Sequence, residues 1–294
     1  MGLQWHSLDQ GTYEDNRFNF ILTVEESGTP KTTPYIDSAG IPTIGIGFNL
    51  RARATFNQAV TEIFYPGAGQ DQFLNADASY VNQIQSVLAG NWSGGSASRL
   101  QSSLDSVMKA RSQDAAVKVA GKRASFGFTD TGEIKTVFNR LAATFEGEID
   151  NWHADIPPST ERVSLFSLAW NAFSLLGNEL KTAIAGENRP EAWYQIRYDS
   201  NDGLNGPPGL AKRRYFESQF FNLYDAGTLD PTQAQAIIAM VSSHQAWIDT
   251  YDQAFGRMVS RAVSDYRAPV QTTAQAIAPA KALIAASPLS ATMV

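Results

Sequence analysis

The chain contains no cysteine. This excludes a disulfide framework, a thiol nucleophile and thiolate metal sites. Histidine is scarce as well: His6, His153 and His244 are scattered and show no metal-ligand spacing, so no metal and no cofactor are expected. No apolar run approaches the length that crosses a bilayer, and stable membrane insertion is not expected. The opening stretch MGLQWHSLDQGTYEDNRF is polar, without a basic start or an apolar core, and reads as no secretory signal. An excess of basic residues is missing too. A net charge of −6 gives no bulk attraction toward a polyanion, so nucleic acid is not an expected partner.

What is present suffices for a folded protein. With 43% hydrophobic residues over 294 positions, the chain can fill one large domain or two ordinary ones. Apolar spacing predicts a helix over 14–28, with Phe18, Ile21, Leu22 and Val24 on one face and Gly28 and Pro30 as stops. The next stretch, 32–50, is rich in strand-forming Tyr35, Ile36, Ile41, Ile44 and Ile46 around a Ser38-Ala39-Gly40 turn, and predicts a small hairpin or three-stranded sheet. Residues 51–125 read as helical pieces broken at 66–69 and 91–96, with an amphipathic helix from Ser96 to about Val119.

Helices are further expected over 129–152, behind a Thr129/Asp130 cap, and over 161–177, which is apolar on nearly every side. Two more fall at 189–198 and 209–225. A long one starts at Asp230-Pro231 and runs to about 266. The last 26 residues read as a frayed or extended tail with a helical patch near 278–286. The expected fold is α+β and predominantly helical. It divides into 1–50 (helix and hairpin), 51–128 (a mostly helical insertion), 129–225 (a helical lobe) and 226–294 (a helical extension and tail).

The chemistry-bearing residues cluster early. Glu25 and Glu26 close the first helix, where the negative dipole end and apolar neighbours favour the protonated carboxyl that a general acid needs. Asp37 follows in a polar hairpin with Thr33, Ser38 and Thr43, a setting for an ionised base. The Thr43 hydroxyl can hold a water against it. Paired carboxyls of this kind serve glycoside hydrolysis. Taken alone, an acid at a helix end and an Asp before a turn are also ordinary structural features.

The string Glu26, Tyr35, Asp37, Gly40, Thr43-Ile44-Gly45-Ile46-Gly47 resembles the signature of the phage-type lysozymes, the muramidases of T-even and lambdoid phages. Two later stretches are similar to the same family. One is 165–192, LFSLAWNAFSLLGNELKTAIAGENRPEA; the other is Gly209-Leu210-Ala211-Lys212-Arg213-Arg214-Tyr215-Phe216-Glu217. The resemblance covers 17–50 and 129–225. It implies a lysozyme-like fold and cleavage of the β-1,4 bond between N-acetylmuramic acid and N-acetylglucosamine, with inversion. Glu26 would be the acid, Asp37 the base and Thr43 the residue that positions water. Tyr35, Gly45, Gly47 and Asn171 would line the sugar site, the glycines by letting the chain approach closely.

Three departures from the family bear on these roles. The loop over 28–34 is longer than the family's, which keeps Glu25 as a rival for the acid. Phe48 stands where many relatives carry His, and residues 51–128 are far longer than the usual connection. Rival chemistries are a lytic transglycosylase, which needs one acid and no water-activating Asp, and a peptidoglycan-binding protein without turnover. The implied partner is peptidoglycan in the periplasm or wall of a target bacterium. The protein would reach it as a phage endolysin or as an injected effector, the latter with a secretion-system carrier and a cognate immunity protein.

Smaller signals carry structural readings. At least one of Arg213 and Arg214 is expected to pair with a buried acid, and Asn171 to bond a buried group. Trp170 and Trp193 read as core, while Trp92, in a Gly/Ser loop, is the candidate for stacking on a sugar. Asp199-Ser200-Asn201-Asp202-Gly203 lacks the spacing and closing Glu of a calcium loop.

Overall fold

A computed structural model describes residues 3–67, 75–153, 155–200 and 203–286. They are predominantly helical, with one small antiparallel sheet. The chain forms two compact units, Ile21–Thr144 and Met1–Phe20 with Phe145–Val294.

Helix α1 (Gln10–Glu26) contributes to both units and begins four residues earlier than its apolar spacing predicts. The reason is a polar cap. Asp9 accepts the Thr12 N–H at 3.0 Å and the Thr12 hydroxyl at 2.6 Å, satisfying donors that a helix start leaves open. At the other end Ser27 and Gly28 take positive φ, and the Gly28 N–H returns to the Leu22 carbonyl at 3.1 Å. That stop leaves Glu25 and Glu26 on the last turn.

In the unit Ile21–Thr144, strands β1 (Lys31–Ile36), β2 (Pro42–Gly45) and β3 (Phe48–Asn49) form the sheet in the order β1-β2-β3. The predicted turn joins β1 to β2: Asp37 Oδ1 accepts the N–H groups of Ala39 and Ile41, and Gly40 supplies positive φ. Helices α2 (Arg53–Phe64), α3 (Asp77–Ala89) and α4 (Ala97–Gln113) follow. α3 and α4 are tied by a fully buried pair, Arg111 Nε to Asp77 Oδ1 at 2.7 Å, and the guanidinium lies 3.9 Å from the Phe64 ring centre.

α4 stops at Gln113 rather than near 119. Asp114 is extended and folds its carboxylate back onto the Ala116 N–H, starting a turn instead of a further helical turn. The segment 123–128 then runs along β1 as a strap. The Phe128 N–H donates to the Thr32 carbonyl at 2.8 Å, and Gly127 lies so close that a Cβ there would meet that oxygen at 2.7 Å. Helix α5 (Thr131–Trp152) starts at the expected cap, where Asp130 accepts the Glu133 N–H and Glu133 accepts the Thr129 N–H.

In the second unit, α6 (Thr160–Asn171) is the expected apolar helix, buried from Glu161 to Ala169. It ends at Asn171 instead of 177. Ala172 turns extended, a 3₁₀ turn spans Phe173–Leu175, and an unanticipated helix α7 (Asn178–Ala185) follows. The predicted helix 189–198 is α8 (Arg189–Tyr194) running into a π turn, Gln195–Asp199. α9 (Pro208–Phe221) packs on α6, and Phe216 stacks on Phe20 of α1 at 4.6 Å between ring centres.

The long helix expected from Asp230 is two helices, α10 (Pro231–Phe255) and α11 (Arg257–Tyr266). Its cap is as expected, with Asp230 accepting the Gln233 N–H at 2.8 Å. At Gly256 the backbone comes so close to the Asp252 carbonyl that a Cβ would lie 2.5 Å from it, and the axis breaks there. The tail is no frayed segment as far as Ala286. Helix α12 (Thr273–Ala286) packs on α10, anchored by Thr273 on Asp252 at 2.6 Å and by Tyr224 on the Ala276 carbonyl at 2.6 Å. Part of the expected break at 66–69 and part of the loop 199–203 lie outside the described residues.

Candidate active site

The unit Ile21–Thr144 gathers most of the sequence-predicted site. Tyr35 of β1 is the direct cross-strand partner of Thr43 in β2, which in turn pairs with Asn49 of β3. Thr43 therefore sits mid-sheet and is buried. From β1 the Tyr35 hydroxyl donates to Glu26 Oε1 at 2.5 Å. Lys31, at the start of the same strand, places Nζ 2.9 Å from Glu26 Oε2 and 3.7 Å from the centre of the Tyr35 ring. Both oxygens of Glu26 thus meet a donor, and its side chain is only 8% exposed.

Asp37 stands at the mouth of the same hairpin. Its two backbone hydrogen bonds, from Ala39 at 2.9 Å and Ile41 at 2.8 Å, both fall on Oδ1. Oδ2 is the oxygen left to engage a water. Thr43 donates its hydroxyl proton to the Ile41 carbonyl at 3.0 Å, which leaves its lone pairs as acceptors. One peptide residue, Ile41, therefore fixes Asp37 and Thr43 relative to each other.

The electrostatics converge on the phenol. Burial pushes the Tyr35 pKa far above its usual value, and the hydrogen bond and charge of Glu26 add to this, followed by the charges of Asp37 and Glu25. All three acids are near enough to act on one hydroxyl. Glu25 is exposed, and its Oε2 faces Gly47, 3.9 Å from where a Cβ would stand.

The two glycines differ. Gly47 is exposed in the β2–β3 turn, and an added Cβ would meet only Glu25 Oε2, at an ordinary contact distance of 3.9 Å. Gly45 is buried, and a Cβ there would lie 2.6 Å from the Phe48 ring. The expectation that Gly45 gives a sugar close access is corrected on this point, since Phe48 occupies the space that the missing side chain leaves.

Asn171 lies in the other unit, exposed at the end of α6. Its Oδ1 accepts from Arg214 Nη2 at 2.8 Å. Arg213 and Arg214 both pair with the fully buried Glu217, Arg213 through Nε at 2.9 Å and Arg214 through Nη1. Ser167 joins them with a 2.5 Å bond to Glu217. Both arginines are therefore structural. Trp92 is not a sugar platform: it is buried, donates Nε1–H to the Val87 carbonyl at 2.9 Å and closes the end of α3.

Sequence reasoning missed Lys31. Strand alternation alone could not have found it, because the register of β1 on β2 shifts between Lys31 and Tyr35 and only that irregularity brings the two side chains together.

No family model, curated protein or solved structure matches the chain. The chemical reading therefore rests on the residues themselves and their arrangement.

Proposed function

We propose that the protein is a muramidase with a lysozyme-like fold, hydrolysing the β-1,4 bond between N-acetylmuramic acid and N-acetylglucosamine in peptidoglycan. The observation that supports it most is the linkage around Tyr35: Glu26 on its hydroxyl, Thr43 across the strand pair, and Asp37 two residues on, tied to Thr43 through Ile41. An acid at the end of α1 and a base in the adjoining hairpin turn, with an acceptor hydroxyl tied to the base, suit single displacement by water. Glu26 gives a proton to the leaving glycosidic oxygen as the C1–O bond breaks. Asp37 takes a proton from the water whose oxygen bonds to C1 on the opposite face, and Thr43 orients that water. The anomeric configuration inverts.

A second assignment of the acid has its own support. Glu25 is exposed and faces the turn that carries Gly47, whereas Glu26 has donors on both oxygens. The test is clearing of purified peptidoglycan by wild type, Glu26→Gln, Glu25→Gln and Asp37→Asn, with mass analysis of the products. Wild type clears the suspension and releases reducing ends, and Glu26→Gln and Asp37→Asn each lose about 100-fold or more. Loss in Glu25→Gln with Glu26→Gln active moves the acid by one residue. Anhydro ends make the protein a transglycosylase. Intact peptidoglycan that carries the protein down on sedimentation overturns catalysis and leaves a binding protein.

As a muramidase it works in the periplasm or wall of a target bacterium. The lack of basic charge favours delivery by a carrier over capture by bulk attraction. A secretion-system carrier and a cognate immunity protein are the partners this delivery implies. Among the described residues no helix is long and apolar enough to cross a membrane.

A further inference from the structure

A groove of about 500 Å³ lies in the unit Ile21–Thr144, where the sheet hands over to α2 and the end of α3. Its floor is apolar: Leu50, Phe56 and Leu88 are each at most 3% exposed. Its charged lining residues are two arginines, in a chain whose net charge is −6. Arg51 is already committed, since its Nε and Nη2 cap the last carbonyls of α3, Leu88 at 2.9 Å and Gly90 at 2.6 Å. Arg53 is exposed and makes no hydrogen bond or ion pair among the described residues. It also stands in the first turn of α2, where the helix dipole disfavours a cation and no acidic residue offsets it. A guanidinium kept there at a local cost, over an apolar floor, suits a ligand that joins a small apolar group to a carboxylate.

The groove is linked to the turn that carries Asp37 through the loop after α3. Gly90, held by Arg51, begins the loop whose Ser93 packs on Gly40, where an added Cβ would lie 3.2 Å from the Ser93 Cα. Gly40 belongs to the turn that carries Asp37 and donates its N–H to the Asp37 carbonyl. The same loop presses Gly95 against Ile36 of β1.

We infer that this groove binds the peptide stem of peptidoglycan, with the alanine methyl on Leu50, Phe56 and Leu88 and the glutamate carboxylate on Arg53. This rests on the muramidase reading for the identity of the ligand. It makes the start of α2 and the end of α3 a selector for stem-bearing chains.

The test is a methyl NMR titration of the full-length protein with the soluble dipeptide L-Ala-γ-D-Glu, on wild type and Arg53→Glu. Clearing of intact peptidoglycan and of amidase-stripped glycan is measured in parallel. The dipeptide shifts the Leu50 and Leu88 methyls saturably, and Arg53→Glu weakens this about five-fold or more. Arg53→Glu also slows clearing of intact peptidoglycan while cleaving stripped glycan at the wild-type rate. Unshifted Leu50 and Leu88 methyls, or identical titrations for the two proteins, overturn the groove even if both clear peptidoglycan. Saturable, Arg53-dependent binding by a protein that cleaves neither substrate upholds the groove and overturns the muramidase.

Discussion

The Tyr35 hydroxyl donates to Glu26 Oε1 at 2.5 Å, joining the first strand to the last residue of the first helix. Tyr35→Phe removes that bond while keeping the ring that Lys31 covers and the cross-strand place beside Thr43. A hydrogen bond to a charged group contributes roughly 1.5–3 kcal/mol, so the clearing rate on peptidoglycan falls about ten-fold or more. The same bond is lost from the folded state, so the melting temperature falls as well, by several degrees, as a loss of about 1.5–3 kcal/mol produces. Unchanged clearing would show that Glu26 does not depend on the phenol for its placement.

Gly45 and Gly47 both have positive φ, yet their substitutions separate cleanly. Gly45→Ala puts a methyl 2.6 Å from the Phe48 ring. Backbone strain and overpacking together cost about 3 kcal/mol. Gly47→Ala makes only an ordinary 3.9 Å contact with Glu25 Oε2 and costs the strain alone, about 1 kcal/mol. Urea unfolding measures both. Equal losses would show that the Phe48 ring moves aside freely.

Glu217 neutralises two arginines with no exposed surface of its own. Glu217→Gln leaves both guanidinium charges buried, and breaking such a pair costs about 3–5 kcal/mol. Expression as an insoluble product, or a urea midpoint far below wild type, is the expected result. A loss under 1 kcal/mol would mean that Ser167, Ser200 and Asn171 alone can hold the arginines.

Glu133 sets a pH dependence. Burial raises its pKa, but Arg123 and then the Thr129 N–H and hydroxyl pull it lower still, leaving it below the usual glutamate value of 4.5. A depressed folded-state pKa gives stability that is full above the unfolded value and is lost as pH falls through the folded one. Glu133→Gln is therefore less stable than wild type at pH 7, by about 1 kcal/mol for a partly exposed pair. The gap closes as the pH drops well below 4.5. A gap constant from pH 7 to pH 3 would place the effect in packing.

The elements that the sequence made legible are those with local causes. The Asp230-Pro231 start, the Thr129/Asp130 cap and the turn at Ser38-Ala39-Gly40 each depend on side chains bonding a backbone a few residues away. The same holds for the placing of Glu26, Asp37 and Thr43 on one helix end and one hairpin. The misread ends depend on longer-range geometry. Asn171 ends α6 while its side chain serves an arginine 43 residues on, and Gly256 splits a helix whose apolar spacing runs through the break. Trp92 looked like a surface aromatic because a Gly/Ser loop surrounds it, and only the fold supplies the Val87 carbonyl that buries it. Gly45 fits a ligand-facing glycine equally well until the Phe48 ring is seen against it.

The strap over 123–128 has a consequence beyond holding β1 in place. A three-stranded sheet has two free borders, each a template for another chain's backbone. Here one border belongs to a two-residue strand too short to recruit a partner, and the other is occupied where Phe128 bonds the Thr32 carbonyl. Neither border thereby offers another chain's backbone an open template of useful length. A single proteolytic nick between Ser125 and Phe128 would uncover the β1 border and leave it open to another chain's backbone.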